Sequence, residues 1–229
     1  MNAALHQEPL TRSVEDYLKV IYRLSRNGQT ASTSDIAQHL ELTAPSVSGM
    51  VKRLSEQKLL EHVPYKGVVL TDEGRRVALR MLRRHRIIEA YLVGFLGYAW
   101  DDVHQEAERL EHAVSEGLIG RMADALGNPS HDPHGDPIPD ADLFISELEY
   151  TPLCEIQPGE LVQVRRVDTS EAERLRYIAS FGLLPGTLVQ LIDRQPFQGP
   201  ITIRTGEHQH VIGHEIAMLL LCSRAEGRP

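Results

Sequence analysis

Residues Ser32–Leu70 read STSDIAQHLELTAPSVSGMVKRLSEQKLLEHVPYKGVVL, and their pattern sets out the architecture of the front of the chain. Ser32-Thr33-Ser34 offers hydroxyls that accept from the free N–H groups of a helix start, ahead of a short helix carrying Ile36, Ala37 and Leu40. Thr43-Ala44-Pro45-Ser46 opens another helix, with Pro45 in the first turn, where a missing N–H costs little. Val47, Val51 and Leu54 line its apolar face and leave Ser46, Ser48, Gly49, Lys52 and Arg53 to the others. Leu59–Val63 and Val68–Leu70 flank Pro64-Tyr65-Lys66-Gly67, a strand–turn–strand pattern. Upstream, Val14, Leu18, Ile21 and Leu24 recur at three- and four-residue steps, an amphipathic helix from Arg12 that Asn27-Gly28 ends. Three short helices and a hairpin are the order of a winged helix-turn-helix, and the tight joint from Glu41 to Ala44 fits that motif. A small helical subdomain with a hairpin is the plainer reading of the same pattern.

Downstream, Thr71-Asp72-Glu73 caps a long helix to about Phe95, Arg-rich in its first half and interrupted at Gly97. A further helix is expected from near Asp101 through Ser115. A third carries Leu118, Ile119, Met122 and Leu126 and ends at Gly127-Asn128-Pro129. Gly127 to Asp142 is packed with Pro, Gly and Asp and reads as loop. Short β-like runs follow at Leu161–Val164, Thr187–Ile192, Ile201–Ile203 and His210–Ile212, with a helical patch near Glu171–Ala179, the pattern of a small β-barrel. The fold class is therefore mainly α with a small β domain, in three parts: a winged helix-turn-helix over 1–75, a helical domain over 76–148 and the β domain over 149–229.

The length of 229 residues allows one to two ordinary domains, or three small ones. No apolar run reaches the roughly 18–20 residues that cross a bilayer, and residues 1–12 lack the apolar centre of a secretory signal. Two cysteines, Cys154 and Cys222, make neither a disulfide framework nor a Cys-rich zinc site, and a reducing cytoplasm fits them. The net charge of −8 speaks against nucleic acid only as an average. Residues 1–75 are neutral overall and residues 76–90 carry +4, whereas residues 91–150 carry −11. Negative charge concentrated in one segment favours a bound cation or a solvated acidic surface.

That acidic segment holds the chemistry. His104, Glu108, Glu111 and His112 lie at i, i+4, i+7 and i+8, one face of one expected helix, and His85 and Glu89 make an i, i+4 pair on the helix before it. Imidazoles and carboxylates converging from neighbouring helices build metal sites in helical bundles; a solvated polar face is the bland alternative. The set has no HExxH and no CxxC, so it lacks the usual support for zinc hydrolysis; carboxylate-rich sets suit Mn²⁺ or Fe²⁺. His131 and His134, in the Pro/Gly loop, read as incidental surface residues. His208, His210 and His214 fit a weak site or an alternating surface strand, and His39 and His62 read as scaffold.

Five motifs in order then carry a resemblance: Glu15-Asp16-Tyr17-Leu18, Ala44-Pro45-Ser46-Val47-Ser48, Arg84-His85-Arg86, Val103-His104 to Glu111-His112-Ala113-Val114-Ser115, and Gly135-Asp136-Pro137-Ile138-Pro139. Over nearly its whole length the chain resembles the diphtheria toxin repressor family of metal-dependent transcriptional regulators, in its manganese-type, three-domain form. The resemblance makes the middle part a helical dimerisation and metal-binding domain and the last an SH3-like (FeoA-like) domain. It implies a cytoplasmic, homodimeric DNA-binding repressor rather than an enzyme, acting on a palindromic double-stranded operator, with no membrane and no small organic substrate. Its cofactor would be Mn²⁺, with Fe²⁺ the alternative and other divalent transition metals able to substitute.

Residue by residue, the resemblance implies a primary metal site of Asp16, Glu108, Glu111 and His112, and an ancillary one of His85, Glu89 and His104 with Glu171 from the third domain. Asp16 and Glu108 stand where iron-sensing members have Met and Cys, an exchange of soft sulfur for hard oxygen that moves preference towards Mn²⁺. Lys19 stands where some two-domain manganese regulators have a ligating Glu, and Arg174 where iron-type relatives have an amide ligand. On DNA, Thr43, Pro45, Ser46 and Ser48 would lie near base edges, with Arg12, Lys52, Arg53, Tyr65 and Lys66 towards phosphates. Leu92, Phe95, Leu96 and Trp100 are the expected dimer contacts, or core. Two other classes compete. A winged-helix regulator of an organic effector needs no carboxylate–histidine face, and a di-iron or dimanganese enzyme needs Glu-x-x-His on two helices, which the chain lacks.

Overall fold

The computed structural model describes residues 10–25, 29–146 and 148–225. The chain forms two compact units, one running to Arg83 with Ala141–Leu143 added, the other comprising Arg84–Asp140 and the chain from Phe144 on.

The first unit begins with α1 (Arg12–Leu24), which buries Val14, Tyr17, Leu18 and Ile21 at the expected spacing; the Asn27-Gly28 stop lies outside the described residues. Helix α2 (Thr33–His39) is capped at Ser32, whose hydroxyl accepts from Asp35 N at 3.1 Å and donates to the Asp35 carboxylate at 2.7 Å. Helix α3 (Ala44–Glu56) turns Val47, Val51 and Leu54 inward. Glu41, in the joint between α2 and α3, takes a positive φ of 54°. Strands β1 (Leu60–Val63) and β2 (Gly67–Leu70) pair antiparallel from Leu60↔Leu70 to Val63↔Gly67, and an extra bridge joins Ala31 to Val68. That bridge explains Gly67: a Cβ there would lie 2.3 Å from Ala31 O. Helix α4 (Asp72–Leu96) is started by Thr71, whose hydroxyl accepts from Gly74 N at 3.1 Å and donates to Lys58 O at 2.7 Å.

In the second unit, the end of α4 packs with α5 (Val103–Leu110) and α6 (Glu116–Ala125) around Ile87, Ile88, Leu92, Val103, Ala107, Ile119 and Ala123. Here one expectation is corrected. The helix predicted through Ser115 stops at Leu110, because Ser115 turns out to cap α6, accepting from Leu118 N. His104 and Glu108 are therefore helical, whereas Glu111 and His112 stand on the turn that follows.

The β domain is a six-stranded antiparallel sheet in the order β3-β8-β4-β5-β6-β7. Its strands are β3 (Thr151–Pro152), β4 (Leu161–Val167), β5 (Leu188–Arg194), β6 (Ile201–Thr205), β7 (His208–Ile212) and β8 (Leu220–Arg224). Helices α7 (Ala172–Ser180) and α8 (His214–Leu219) contribute Leu175, Ile178 and Ala217 to its core. The sequence reading missed α8 and β8. They occupy one continuous apolar run, Ile216 to Cys222, with no turn residue to mark the change from helix to strand. Among the described residues no helix is long and apolar enough to cross a membrane.

Candidate metal centre and nucleic-acid face

The centre is built around His85, which α4 carries into the interior of the second unit, one turn before Glu89. Its Nδ1 lies 2.6 Å from Glu111 Oε2 and 3.7 Å from Glu108 Oε1. Its Nε2 lies 2.9 Å from Glu89 Oε1 and 3.0 Å from His104 Nδ1, which itself sits 3.0 Å from the same Glu89 oxygen. A neutral imidazole has a single N–H. Carboxylate oxygens on both sides of one ring are satisfied together only by an added proton or by a cation, so the donor set fits a metal ion. Glu111 is fully buried, with its other oxygen 3.4 Å from His112 Nε2.

Two groups of ligand atoms in this unit come close enough to share an ion. One is His85, His104 and Glu108; the other is Glu89, Asp132 and His134, all three buried. Of the expected ancillary set, His85 and His104 thus group with Glu108, and Glu89 groups with Asp132 and His134, although its Oε1 also lies 2.9 Å from His85 Nε2 and 3.0 Å from His104 Nδ1. Glu171 belongs to neither: its side chain is 63% exposed and pairs with Arg174 at 2.9 Å. Asp16 lies on α1 in the first unit, 4.0 Å from Arg12.

Asp132 was not singled out in the sequence, and His134 was read there as a surface residue. Instead His134 is 6% exposed. The loop that carries them folds back on itself: Asp132 N donates to Asp136 O, Ile138 N to Ser130 O, and Asp132 Oδ1 accepts from both His134 N and Asp136 N. A Pro/Gly-rich string gives no periodicity from which an inward direction can be read. The His-Asp-Pro-His stretch of 131–134 and the nearby carboxylates were the only signals.

The electrostatics follow from burial among mixed charges. Burial raises Glu89, but the attraction of His85 and the imidazoles of His104 and His134 outweigh it and hold the carboxyl well below its ordinary value. Burial, with Asp136 and Glu89 adding to it, pushes Asp132 up to about 7 against Arg86 and His134. Burial opposes charge on His134, yet Glu89, Asp132 and the Trp100 carbonyl raise it to about 8. Sulfur takes no part. Cys154 and Cys222 are buried in the β-domain core, where burial raises both thiols, Cys222 to about 12.

On the first unit, Thr43, Pro45, Ser46, Ser48, Lys52 and Arg53 are all exposed, on the sides of α3 that its buried stripe leaves open. Tyr65 at the hairpin tip is fully exposed with a φ of 62°, and Lys66 beside it is exposed too. Of the apolar residues expected at a dimer contact, Phe95 and Leu96 are exposed, with Tyr91 stacked on Phe95 at 5.0 Å. Leu92 is core, and Trp100 packs against the β domain.

Comparison with known proteins matches this layout part by part. Residues 9–68 match the iron dependent repressor N-terminal DNA binding domain, residues 71–140 the iron dependent repressor metal binding and dimerisation domain, and residues 151–224 the FeoA domain. The chain is 31% identical to the iron-dependent repressor IdeR of Mycobacterium leprae over 220 residues, covering 91% of this chain and 95% of that protein. It is 32% identical to the diphtheria toxin repressor of Corynebacterium efficiens over 196 residues, 81% and 85% of the two chains. Among solved structures, a manganese-dependent transcriptional repressor in complex with manganese superposes with a TM-score of 0.86 at 38% identity, over 93% of this chain and all of that one. The manganese regulator SloR follows with a TM-score of 0.76 at 32% identity, over 94% and 100%. DNA-binding front, buried carboxylate–imidazole centre and FeoA-type end all agree: the chain belongs to the diphtheria toxin repressor family of metal-dependent, homodimeric, DNA-binding transcriptional repressors.

Proposed function

We propose that this protein is a Mn²⁺-responsive repressor of metal-uptake genes, working in the cytoplasm, with Fe²⁺ the second-ranking effector. The observation that carries the metal preference is the donor set around His85, which is carboxylate and imidazole throughout, with both thiols buried elsewhere. Hard oxygen donors favour Mn²⁺ over metals that prefer sulfur. The primary ion would be held by Asp16, Glu108, Glu111 and His112. The ancillary set of His85, Glu89 and His104 extends to Asp132 and His134, while Glu171 makes its ion pair elsewhere.

In this reading Asp16, Glu108, Glu111 and His112 would hold the cation, which would supply positive charge to balance their carboxylates. Everything else is done by the chain. α1 packs against α2, and α2 against α3, so fixing α1 fixes the recognition helix. A bound cation would act as a switch only by favouring the DNA-competent geometry over the other, and a coupling on the order of 1–3 kcal/mol would give a graded response. Two recognition helices of a C2 dimer then enter successive major grooves of a palindrome. With Thr43, Pro45, Ser46 and Ser48 at its start, the helix reads methyl groups, waters and shape, while Lys52, Arg53, Tyr65 and Lys66 position it on phosphates.

The test is fluorescence anisotropy on a palindrome from the gene's upstream region, titrating Mn²⁺ and then Fe²⁺ anaerobically at fixed salt. Mn²⁺ should tighten binding at least about tenfold, roughly 1.4 kcal/mol. The double variant Glu108→Ala/His112→Ala should abolish that response. Equal binding by the metal-free protein overturns the switch, and a stronger response to Fe²⁺ overturns the ranking.

A further inference from the structure

The turn between α2 and α3 closes with a Schellman lock, and that lock holds an apolar side chain in the open. Glu41 N donates to Gln38 O at 3.3 Å and Leu42 N to Ala37 O at 3.0 Å, with Glu41 in the left-handed region at a φ of 54°. A lock of this kind commonly tucks an apolar residue in Leu42's position against the end of the helix. Here Leu42 remains 45% exposed, although its backbone is fixed at the head of the recognition helix. A lone exposed leucine needs no explanation on an ordinary surface. Leu42 differs in its surroundings.

From Leu42 to Gly49 the exposed side chains are Leu42 itself, Thr43, Ala44, Pro45, Ser46 and Ser48, and none carries an amide, a carboxylate or a guanidinium. Two of the three hydroxyls donate to the chain itself: Thr43 Oγ1 to Ser46 Oγ at 3.3 Å, and Ser48 Oγ to Ala44 O at 2.9 Å. Gly49 leaves open space beside the helix, since a Cβ there would meet nothing within 4 Å. In the major groove, bases are told apart by their hydrogen-bonding edges and by the C5-methyl group of thymine. Hydroxyls turned back on the helix withdraw donors from those edges, and the longest exposed side chain of the segment is aliphatic. An aliphatic side chain has one complement among the groove's features, the methyl group. We infer that Leu42 is a specificity-determining residue, whose side chain lies on the C5-methyl of a thymine in each half-site. The inference rests on the reading of α3 as the recognition helix of a DNA-bound dimer, and adds a reader that precedes the helix.

Deoxyuridine tests this from the DNA side, because it lacks only the methyl group of thymine and keeps every hydrogen-bonding edge. Each thymine of the palindrome is replaced in turn, symmetrically in both half-sites. Anisotropy is recorded with the full-length protein at saturating Mn²⁺ and fixed salt. One symmetric pair of replacements should weaken binding by the parent about tenfold, the loss of two buried methyl contacts. Leu42→Ala should weaken binding to the thymine palindrome by a similar factor, and lose nothing further on deoxyuridine at that position. Leu42→Met, which keeps the apolar reach, should retain most of the thymine preference. Both variants should keep the parent's thermal midpoint, as befits a half-exposed position. A parent indifferent to deoxyuridine at every position overturns the inference. So does a Leu42→Ala variant that keeps the full deoxyuridine penalty, which would assign the methyl to another residue. In both cases the parent still binds the palindrome in a metal-dependent way. A parent that does not bind it at all removes the repressor reading, and this inference with it.

Discussion

At the scale of single residues, the protons of the centre are the competitors of its metal. In the Glu89–Asp132–His134 group, a cation must meet Asp132 ionised and His134 neutral. Asp132 is raised to about 7, so it takes up a proton as pH falls through that value; His134, raised to about 8, already holds one there. Both protons must leave when metal enters, so affinity falls with acidity. Calorimetry in buffers of different ionisation enthalpy should find about two protons released per ion bound near pH 6, and fewer than one above pH 8. Asp132→Asn removes one of these protons and should flatten the pH dependence while weakening metal binding. A release that does not vary with pH would remove these two groups from the site.

At the scale of elements, two short stretches bear the strain of positioning. Gly74 sits in the first turn of α4, where alanine is intrinsically better by about 1 kcal/mol. A Cβ there, however, would stand 2.1 Å from Leu59 O, a backbone atom that cannot rotate away. The clash wins, and Gly74→Ala should destabilise the first unit by about 1–3 kcal/mol, read as a lowered thermal midpoint. In the hairpin, Lys66→Ala should weaken binding to all DNA sequences alike and reduce the salt slope by about 1, since phosphate contacts carry no sequence information. A selective loss on the palindrome would instead place Lys66 on a base edge.

At the scale of the whole molecule, an operator that is a palindrome requires two copies of the chain. Phe95 and Leu96 end α4 with 55% and 59% of their surface exposed, and Tyr91 stacks on Phe95 from the turn before. An exposed apolar cluster within the family's dimerisation segment is where a twofold contact is expected. Phe95→Glu should leave the monomer's thermal stability within about 0.5 kcal/mol, as surface changes do, while shifting light scattering from dimer to monomer mass. Its affinity for the palindrome should fall towards that for a half-site. A variant that stays dimeric moves the contact elsewhere on the chain.

The repeating parts of this protein are written in local patterns of the chain. The spacing of Val14, Leu18 and Ile21, the hydroxyl of Ser32, Pro45 in the first turn of α3 and the Pro64–Gly67 hairpin are local signals, and each marks an element that the structure contains. His85, Glu89, His104 and Glu108 were legible too, because helix periodicity tells which side chains share a face. Other features are not legible in those patterns. Ser115 capped a new helix and put Glu111 and His112 on a turn, while a loop without periodicity turned Asp132 and His134 inward. The posture of that loop goes with contacts of Arg86, Gly135 and Arg166, residues about 30 to 80 positions apart in sequence, and these contacts exist only once the chain has closed around them.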